Sequence, residues 1–277
     1  MKKISRRSFM AAAAVSVAAL ALTACGGSAN SAASSVASSA ASSEAVSSAA
    51  ADLTTVEAGK LTMATNAAFP PYEMTTDAGE FEGIDVDTAK AIAEKLGLEL
   101  QIDDMDFDAA LLSVQQGKAD IVMAGVTVTD ERKAVMDFSD SYATGIQSII
   151  VPNDSDIASP DDLAGKTIGT QRGTTGYIYC SDDFGDENVV AYDDGLTAVQ
   201  ALNNGQVDAV VIDNAPAQEF VAANPGLKVL DTSYAEEDYA IGMAKGSSLE
   251  DAVNAALEEL KADGTLQSIV DKYITAE

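Results

Sequence analysis

A short unit of sequence occurs twice in the chain, 88 positions apart, and it limits the folds that the chain can adopt. In residues 110–125 an apolar helical pattern ends at Gly117, and two further residues and an aspartate precede an apolar strand. Residues 198–213 repeat this order around Gly205. The repeat predicts two similar α/β lobes rather than one long sheet. Chance similarity between two common helix–strand pieces is the alternative.

The rest of the sequence agrees with an α/β architecture from residue 60 onward. Residues 61–65 and 98–102 predict strands, and residues 85–96 predict a helix that ends at Gly97. In open α/β sheets, ligands bind beyond the carboxyl ends of the strands. The residues that follow the two repeated strands, 125–132 and Asp213, are therefore expected to face each other across a cleft.

The composition excludes several classes of function. Asp and Glu number 44 against 16 Lys and Arg, which gives a formal net charge of -28. Such a chain has almost no basic residues from which to build a nucleic-acid-binding face. It also contains no histidine, which removes Ser-His-Asp and Cys-His nucleophile pairs and imidazole metal sites. We expect no nucleic acid, no metal and no cofactor.

The N-terminal residues predict export and a tether. In residues 1–24, four basic residues precede an apolar run, which is typical of a secretory signal peptide. The end of this segment and Cys25 resemble the bacterial lipobox, which implies a lipidated Cys25 on the outer face of the cell membrane. Residues 25–52 continue as a Ser/Ala-rich linker. Residues 5–10 also resemble a twin-arginine motif, and Sec export remains open. Cys180 is interpreted as a small buried hydrophobic residue.

The residues that face the expected cleft suit a free α-amino acid. Arg132 offers the two-pronged donor that a carboxylate needs, and the turn at Thr174 and Thr175 opens a helix whose free N–H groups favour an anion. Asp213 and the Gly125 carbonyl offer acceptors for an ammonium group. The spacing leaves two alternatives open. In these alternatives, Arg132 is only a surface partner of Asp130 or Asp137, and Asp213 is only a helix N-cap.

Six separated motifs over residues 53–274 resemble the polar amino-acid solute-binding proteins of ABC importers. They are residues 65–73, 83–87, 124–132, 137–139, 173–176 and 208–213. The resemblance implies a two-lobed, venus-flytrap fold with hinge crossings near residues 148–152 and 232–240. It divides the body into residues 53–149 of the first lobe, 150–235 of the second lobe, and 236–277 returning to the first.

The same resemblance implies roles for individual residues. Arg132, Thr127 and Thr175 would hold the ligand carboxylate, while Asp213 and Gly125 would hold its ammonium. The ligand side chain would contact a further set of residues: Asn66, Phe69, Tyr72, Phe107 and Gln171, with Thr174 beside the carboxylate. The implied partners are a free polar amino acid and an ABC permease and ATPase complex, with the protein acting as a monomer.

Two positions depart from the family pattern. Asn66 stands where some relatives that bind cationic or amide side chains have an aspartate, and Arg172 adds an unusual charge that either faces the cleft or points into solvent. Glutamine, glutamate, arginine and cystine therefore remain possible ligands. The alternative functions are a dehydratase on the same fold, for which Glu73 is the nearby acid or base, and an amino-acid sensor for a membrane receptor.

Overall fold

The computed structural model of the chain describes residues 53–274. The predictions for the signal peptide, Cys25 and the linker lie outside the described residues, as does the end of the predicted C-terminal return. Within the described part, no helix is both long and apolar enough to cross a membrane.

The described residues form an alternating series of strands and helices. The strands are β1 (Lys60–Thr65), β2 (Ala68–Phe69), β3 (Glu73–Thr75), β4 (Phe81–Glu82), β5 (Glu99–Asp104), β6 (Ile121–Val122), β7 (Met136–Phe138), β8 (Ala143–Pro152), β9 (Ile168–Gln171), β10 (Val189–Tyr192), β11 (Ala209–Asp213), β12 (Leu227–Val229), β13 (Ala235–Tyr239) and β14 (Gly242–Ala244). The α-helices are α1 (Ile84–Leu96), α2 (Phe107–Gln115), α3 (Asp130–Lys133), α4 (Thr175–Phe184), α5 (Gly195–Asn203), α6 (Asn214–Ala223), α7 (Glu250–Ala262) and α8 (Thr265–Tyr273). The strands and helix predicted between residues 61 and 102 are confirmed.

Each lobe is built around its own sheet. The first sheet has the strand order β5-β1-β6-β14-β7, with β1 parallel to β5 and β6 and with β14 antiparallel to its neighbours. The second sheet has the order β10-β9-β11-β8-β12, and β13 also pairs with β8. A small sheet of β2, β3 and β4 adjoins the first lobe. The predicted pair of α/β lobes is confirmed.

The chain passes between the sheets at two short connections. Residues 139–142 join β7 of the first sheet to β8 of the second, and residues 240–241 lead from β13 back to β14. The predicted first crossing at residues 148–152 is wrong because this segment lies inside β8. Its backbone groups there pair with β11 and β12. The lobe boundaries predicted at 149/150 and 235/236 shift accordingly, because β8 and β13 belong wholly to the second sheet.

Apolar packing covers both faces of each sheet. One core runs from the first sheet into the second and includes Tyr142 and Tyr239, next to the two crossings. A second core lies between the first sheet and α2, and a third lies beneath α4 and contains Cys180. The interpretation of Cys180 as a buried hydrophobic residue is confirmed, and burial raises the pKa of its thiol to about 12.

Polar side chains fix the starts of the helices that reach the cleft. Thr129 accepts a hydrogen bond from the backbone N–H of Arg132 at 3.2 Å, and this bond caps α3. Thr174 accepts one from the N–H of Tyr177 at 3.3 Å at the start of α4. Such caps satisfy N–H groups that a helix leaves without partners. They therefore hold Arg132 and Thr175 at defined places beside the cleft.

Candidate functional site

A cavity lies between the two lobes, beyond the ends of strands from both sheets. Its lining includes ten of the eleven residues predicted to bind the ligand, together with Glu73 and Ala124. The ten are Asn66, Phe69, Phe107, Gly125, Thr127, Arg132, Gln171, Thr174, Thr175 and Asp213. The two strand ends therefore face each other as the sequence predicted.

Arg132 points into the cavity wall and is 9% exposed. Its Nη1 donates to the carbonyl of Thr127 at 2.8 Å, and its Nη2 donates to the carbonyl of Gly173 at 3.1 Å. The guanidinium also lies 5.3 Å from the centre of the Phe107 ring. A guanidinium has five N–H donors, so these two bonds leave donors available to a carboxylate. Burial lowers the pKa of Arg132, and the charge on Glu237 opposes this effect.

The surface alternative for Arg132 is wrong in this structure. Asp137, one of the proposed partners, instead binds Lys245 Nζ at 2.6 Å and the N–H of Gly246 at 2.6 Å. The pKa of Asp137 is lowered by these two contacts. Arg132 is consequently held by carbonyl groups of both lobes rather than by a neighbouring aspartate.

Asp213 lies at the opposite end of the expected clamp and is 8% exposed. Tyr239 donates its hydroxyl hydrogen to Oδ1, and Gln147 Nε2 donates to Oδ2 at 2.9 Å. Burial is the largest influence on Asp213 and raises its pKa to about 7, against the opposing effect of these hydrogen bonds. Asp213 occupies the N-cap position of α6 but makes no capping hydrogen bond there. Its carboxylate is thus turned to the cavity.

A hydrogen bond to Asp85 fixes the turn at Gly125. The N–H of Gly125 donates to Asp85 Oδ2 at 3.0 Å, and Tyr142 donates its hydroxyl hydrogen to Oδ1 at 2.7 Å. Gly125 has a φ of 55°, and an added Cβ would lie 2.9 Å from the Phe69 ring. A side chain at this position is therefore disfavoured by both the backbone and the space. The fold of this turn presents Gly125 to the cavity.

The aromatic wall differs in one respect from the prediction. Phe69 and Phe107 line the cavity, whereas Tyr72 lies behind it. The Tyr72 ring stacks on Phe69 at 5.9 Å and meets Tyr239 edge-on at 5.3 Å. Tyr72 thus supports Phe69 through apolar and aromatic packing. The prediction that Tyr72 contacts the ligand is not met by its position in this structure.

Asn66 and Gln171 meet directly across the cleft. Gln171 Nε2 donates to Asn66 Oδ1 at 2.9 Å, and Asn66 Nδ2 donates to the carbonyl of Met105 at 3.0 Å. Asn66 follows β1 of the first sheet, and Gln171 ends β9 of the second. Arg172, in contrast, has a side chain that is 55% exposed and lies beside Asp193. Of the two alternatives for Arg172, the structure therefore agrees with the one in which its side chain points into solvent.

Glu73 is a buried acid in the cavity wall. Its side chain is 0% exposed, and its carboxyl group lies against the carboxyl group of Asp85. Burial is the largest influence and raises its pKa well above the ordinary range, with the charge on Asp85 acting in the same direction. The sequence analysis considered Glu73 only as a catalytic group. Its position in the aromatic-rich motif of residues 65–73 was the available signal that it lines the cavity.

The sequence analysis missed Glu237, Gln147 and Tyr239, which surround Asp213 and the two threonines. Glu237 is 7% exposed, and its Oε2 accepts hydrogen bonds from Thr127 and Thr175. In β13 the burial alternates, but the sequence of this strand gives no apolar–polar alternation to reveal it. Three consecutive acidic residues look like a solvated edge, so no signal in the sequence distinguished the inward-facing one.

Comparison with known proteins places the chain in a family. The sequence profile described as bacterial extracellular solute-binding proteins, family 3, matches residues 61–276. The chain belongs to this family. The family 3 protein described here shares 32% identity with the L-cystine-binding protein TcyJ of Escherichia coli (strain K12) over 225 residues, 80% of this chain and 85% of TcyJ. It shares 34% identity with the arginine-binding extracellular protein ArtP of Bacillus subtilis (strain 168), over 79% of this chain and 87% of ArtP.

Solved structures of related proteins show the same two-lobed fold. The arginine-, lysine-, histidine-binding protein ArtJ from Geobacillus stearothermophilus superposes with a TM-score of 0.76 at 35% identity, over 79% of this chain and 96% of that chain. The predicted venus-flytrap fold is confirmed. The family 3 protein is thus an extracytoplasmic amino-acid-binding protein for ABC transport. Its relatives are binding proteins of transporters and not enzymes.

Proposed function

We propose that the protein captures an α-amino acid with a cationic side chain and delivers it to the permease and ATPase of an ABC importer. Arg132 and the N–H groups at the start of α4 bind the α-carboxylate, and Asp213 with the Gly125 carbonyl binds the α-ammonium. Supporting this assignment, all four groups line one cavity. Phe69 and Phe107 contact the aliphatic part of the side chain, and Asn66 and Gln171 contact its far part.

The observation that carries the choice of a cationic side chain is the buried carboxyl group of Glu73 in the cavity wall. An amino acid's own carboxylate and ammonium balance Arg132 and Asp213, so Glu73 is the acidic wall residue left for the side chain. Burial and the neighbouring charge of Asp85 disfavour the ionised form of this carboxyl group. A guanidinium or ammonium placed beside it would stabilise the carboxylate. Glu73 thereby supplies the acidic group that Asn66 does not.

The names of relatives support the same class of ligand. ArtP is an arginine-binding protein, and ArtJ binds arginine, lysine and histidine. TcyJ binds cystine, whose second amino-acid group also carries an ammonium. Arginine is our first choice because its planar guanidinium matches a carboxylate with two parallel hydrogen bonds. Lysine and cystine are the next ligands to compare.

A thermal-shift panel followed by calorimetry tests the proposal. The purified protein is mixed with each standard amino acid and with cystine and citrulline. Citrulline has the shape of arginine but no side-chain charge. Arginine is expected to bind at least tenfold more tightly than citrulline, because a charge-assisted hydrogen bond is about twice as strong as a neutral one. Absence of binding to every amino acid at millimolar concentration contradicts the function itself.

The variant Glu73→Gln provides the matched control. It keeps the shape of the side chain but removes the charge that we assign to cation recognition. We expect the preference for arginine over citrulline to fall to within about twofold, while citrulline affinity stays near its original value. An unchanged preference in this variant would show that another group selects the side chain, even though amino-acid binding stands.

Family membership favours binding over a dehydratase activity. An enzyme of that kind needs an acid or base beyond the two clamping groups, and Glu73 is the residue in the cavity that fits this description. We assign Glu73 to the ligand side chain instead. Incubation of the protein with prephenate or arogenate is accordingly expected to give no product, and product formation would reverse the assignment.

We further propose that the mature protein is a monomer tethered by lipid on Cys25, with residues 25–52 as its linker. The lipobox resemblance supports this anchor. Replacing Cys25 with Ser is expected to move the protein from the membrane fraction to the soluble exported fraction. Binding-dependent stimulation of a partner ATPase in vesicles would distinguish transport from sensing, because a sensor has no ATPase partner to stimulate.

A further inference from the structure

A buried carboxylate stands where the chain returns from the second lobe to the first. Glu237 lies in β13, three residues before the second crossing at 240–241. Its Oε2 accepts hydrogen bonds from Thr127 Oγ1 at 3.1 Å, Thr175 Oγ1 at 2.9 Å and Gln147 Nε2 at 3.0 Å. Thr127 belongs to the first lobe and Thr175 to the second. One carboxylate oxygen therefore joins hydroxyl groups from both sides of the cleft.

These hydrogen bonds decide what the two hydroxyl groups can offer a ligand. A threonine hydroxyl has one hydrogen to donate and two lone pairs to accept with. The two hydroxyl oxygens lie 3.4 Å apart, where either can donate to the other. With both hydrogens directed to Glu237, Thr127 and Thr175 present acceptors to the cavity that they line. An acceptor suits an ammonium group and repels a carboxylate. The earlier expectation that these hydroxyls hold the ligand carboxylate is therefore at odds with their contacts.

The same network includes the ammonium-binding aspartate. Gln147 Nε2 donates to Asp213 Oδ2 at 2.9 Å as well as to Glu237 Oε2. A side-chain amide nitrogen carries two hydrogens, and the two carboxylates use both. Gln147 is 1% exposed, so water has little access to this link. Glu237 and Asp213 are consequently held in fixed relation to each other beneath the cavity.

We propose that Glu237 is a positioning residue that sets the polarity of the site. It fixes Thr127 Oγ1 as an acceptor that is linked to Asp213 through Glu237 and Gln147, so the ligand ammonium binds at that end. The ligand carboxylate is left to Arg132 and to the backbone N–H groups where α4 begins. Glu237 acts through the threonine hydroxyls and does not touch the ligand. This inference rests on the amino-acid-binding function proposed above.

The test is a double-mutant cycle with arginine affinity as the readout. Glu237→Leu removes the acceptor, and Thr127→Val removes the hydroxyl while keeping the shape of the side chain. Each single change is expected to weaken binding about tenfold. Because both changes disrupt the same arrangement, the double variant should lose far less than the product of the two. Asn66 shares no hydrogen-bond partner with Glu237 among the described residues, so Glu237→Leu with Asn66→Ala should show nearly multiplicative losses.

Glu237→Gln is the control for the case in which Glu237→Leu fails to fold, because glutamine has nearly the same size and keeps one acceptor oxygen. We expect it to fall between the original protein and Glu237→Leu in affinity. A fall in the unliganded melting temperature with unchanged arginine affinity would assign Glu237 a purely structural role and overturn the inference. Multiplicative losses with Thr127→Val would overturn it too. Absence of binding by the unaltered protein would instead refute the proposed function on which this inference stands.

Discussion

The two repeated helix–strand units make the same pair of hydrogen bonds to a threonine elsewhere in their own lobe but end in different chemistry. Gly117 and Gly205 end their helices with φ of 67° and 68°. In the first unit the N–H of Asp120 donates to the carbonyl of Thr62 at 2.9 Å, and Asp120 Oδ2 accepts from the Thr62 N–H at 2.8 Å. Asp208 repeats both bonds with Thr167, each at 2.8 Å.

The units diverge where their strands end. β6 of the first unit has two residues and runs into the segment that carries Gly125, Thr127 and Arg132. β11 of the second unit has five residues and ends at Asp213 itself. The body of each repeated unit therefore builds the scaffold, whereas Asp213 at the end of the second unit and Arg132 after the first provide the two opposite charges. Changes at strand ends should alter binding, while changes inside the repeat should alter stability.

The largest effect is expected at the strand end of the first lobe. Arg132→Leu leaves the ligand carboxylate without its guanidinium, and removing one partner of a buried charge pair costs about 2–5 kcal/mol. Arginine affinity measured by calorimetry should fall about 100-fold or more. Arg132→Lys keeps the charge but not the two-pronged geometry and should give an intermediate loss. Near-normal affinity in the leucine variant would contradict the assignment of Arg132 to the carboxylate.

The second effect is expected at the strand end of the second lobe. Asp213→Asn removes the charge opposite the ligand ammonium, and we expect a loss of about 10- to 100-fold in affinity. The loss is smaller than for Arg132→Leu because the asparagine oxygen still accepts a hydrogen bond. An equal or greater loss at Asp213 would reverse the ranking of the two lobes.

The pH dependence of affinity sharpens this second prediction. The ligand ammonium favours ionised Asp213, whose pKa is raised to about 7 in the unliganded protein. Affinity should therefore rise with pH up to about 7 and level off above it, and at pH 6 it should be roughly tenfold weaker. Measurements with citrulline avoid a charged side chain beside Glu73. Asp213→Asn should flatten this profile, and a profile that keeps its slope would point to another titrating group.

The smallest effects on binding are expected inside the repeat, where the two aspartates differ in burial. Asp120 is 6% exposed, and its Oδ1 also accepts from the Val56 N–H at 2.7 Å. An asparagine at this position would have to turn its amide nitrogen toward one of two N–H donors, so Asp120→Asn should cost about 2 kcal/mol of unfolding free energy. Asp208 is exposed, and its Oδ2 bond to Thr167 can pass to an asparagine oxygen, so Asp208→Asn should cost about 0.5 kcal/mol.

Urea unfolding measures this difference, and arginine affinity supplies the control. Both asparagine variants should bind arginine within about twofold of the unaltered protein. Equal losses of unfolding free energy would mean that buried Asp120 and exposed Asp208 contribute equally to stability. A large loss of affinity in either variant would contradict the separation of scaffold from strand end.

Sequence patterns predicted the lobes and the two charged ends of the cleft because these depend on local order, whereas Asn66, Phe69, Phe107 and Gln171 came from the family resemblance. The glycine that ends each helix, the apolar strand after it and the polar residue beyond the strand are all neighbours in the chain. The first crossing was placed too late because residues 148–152 carry an apolar run that fits equally well inside a strand. Only pairing with β11 and β12, far along the chain, shows that they belong to the second sheet.

The missed residues share a physical cause. Glu237 and Gln147 are polar side chains made inward-facing by partners that lie 110 and 66 positions away, at Thr127 and Asp213. No local period distinguishes such residues from a solvated edge. The family resemblance placed Tyr72 near the ligand side chain, and its ring stacks behind Phe69 and against Tyr239. Long-range polar partners and ring stacking decide these positions.

The direct bridges between the lobes have a kinetic consequence. The amides of Asn66 and Gln171 join across the mouth of the cavity, and Arg132 reaches the Gly173 carbonyl of the other lobe. A ligand enclosed behind these hydrogen bonds dissociates only when both of them are broken at the same time. The residence time of the bound ligand is then set by how often the two lobes separate. A transporter that separates the lobes would therefore release the ligand faster than dilution alone.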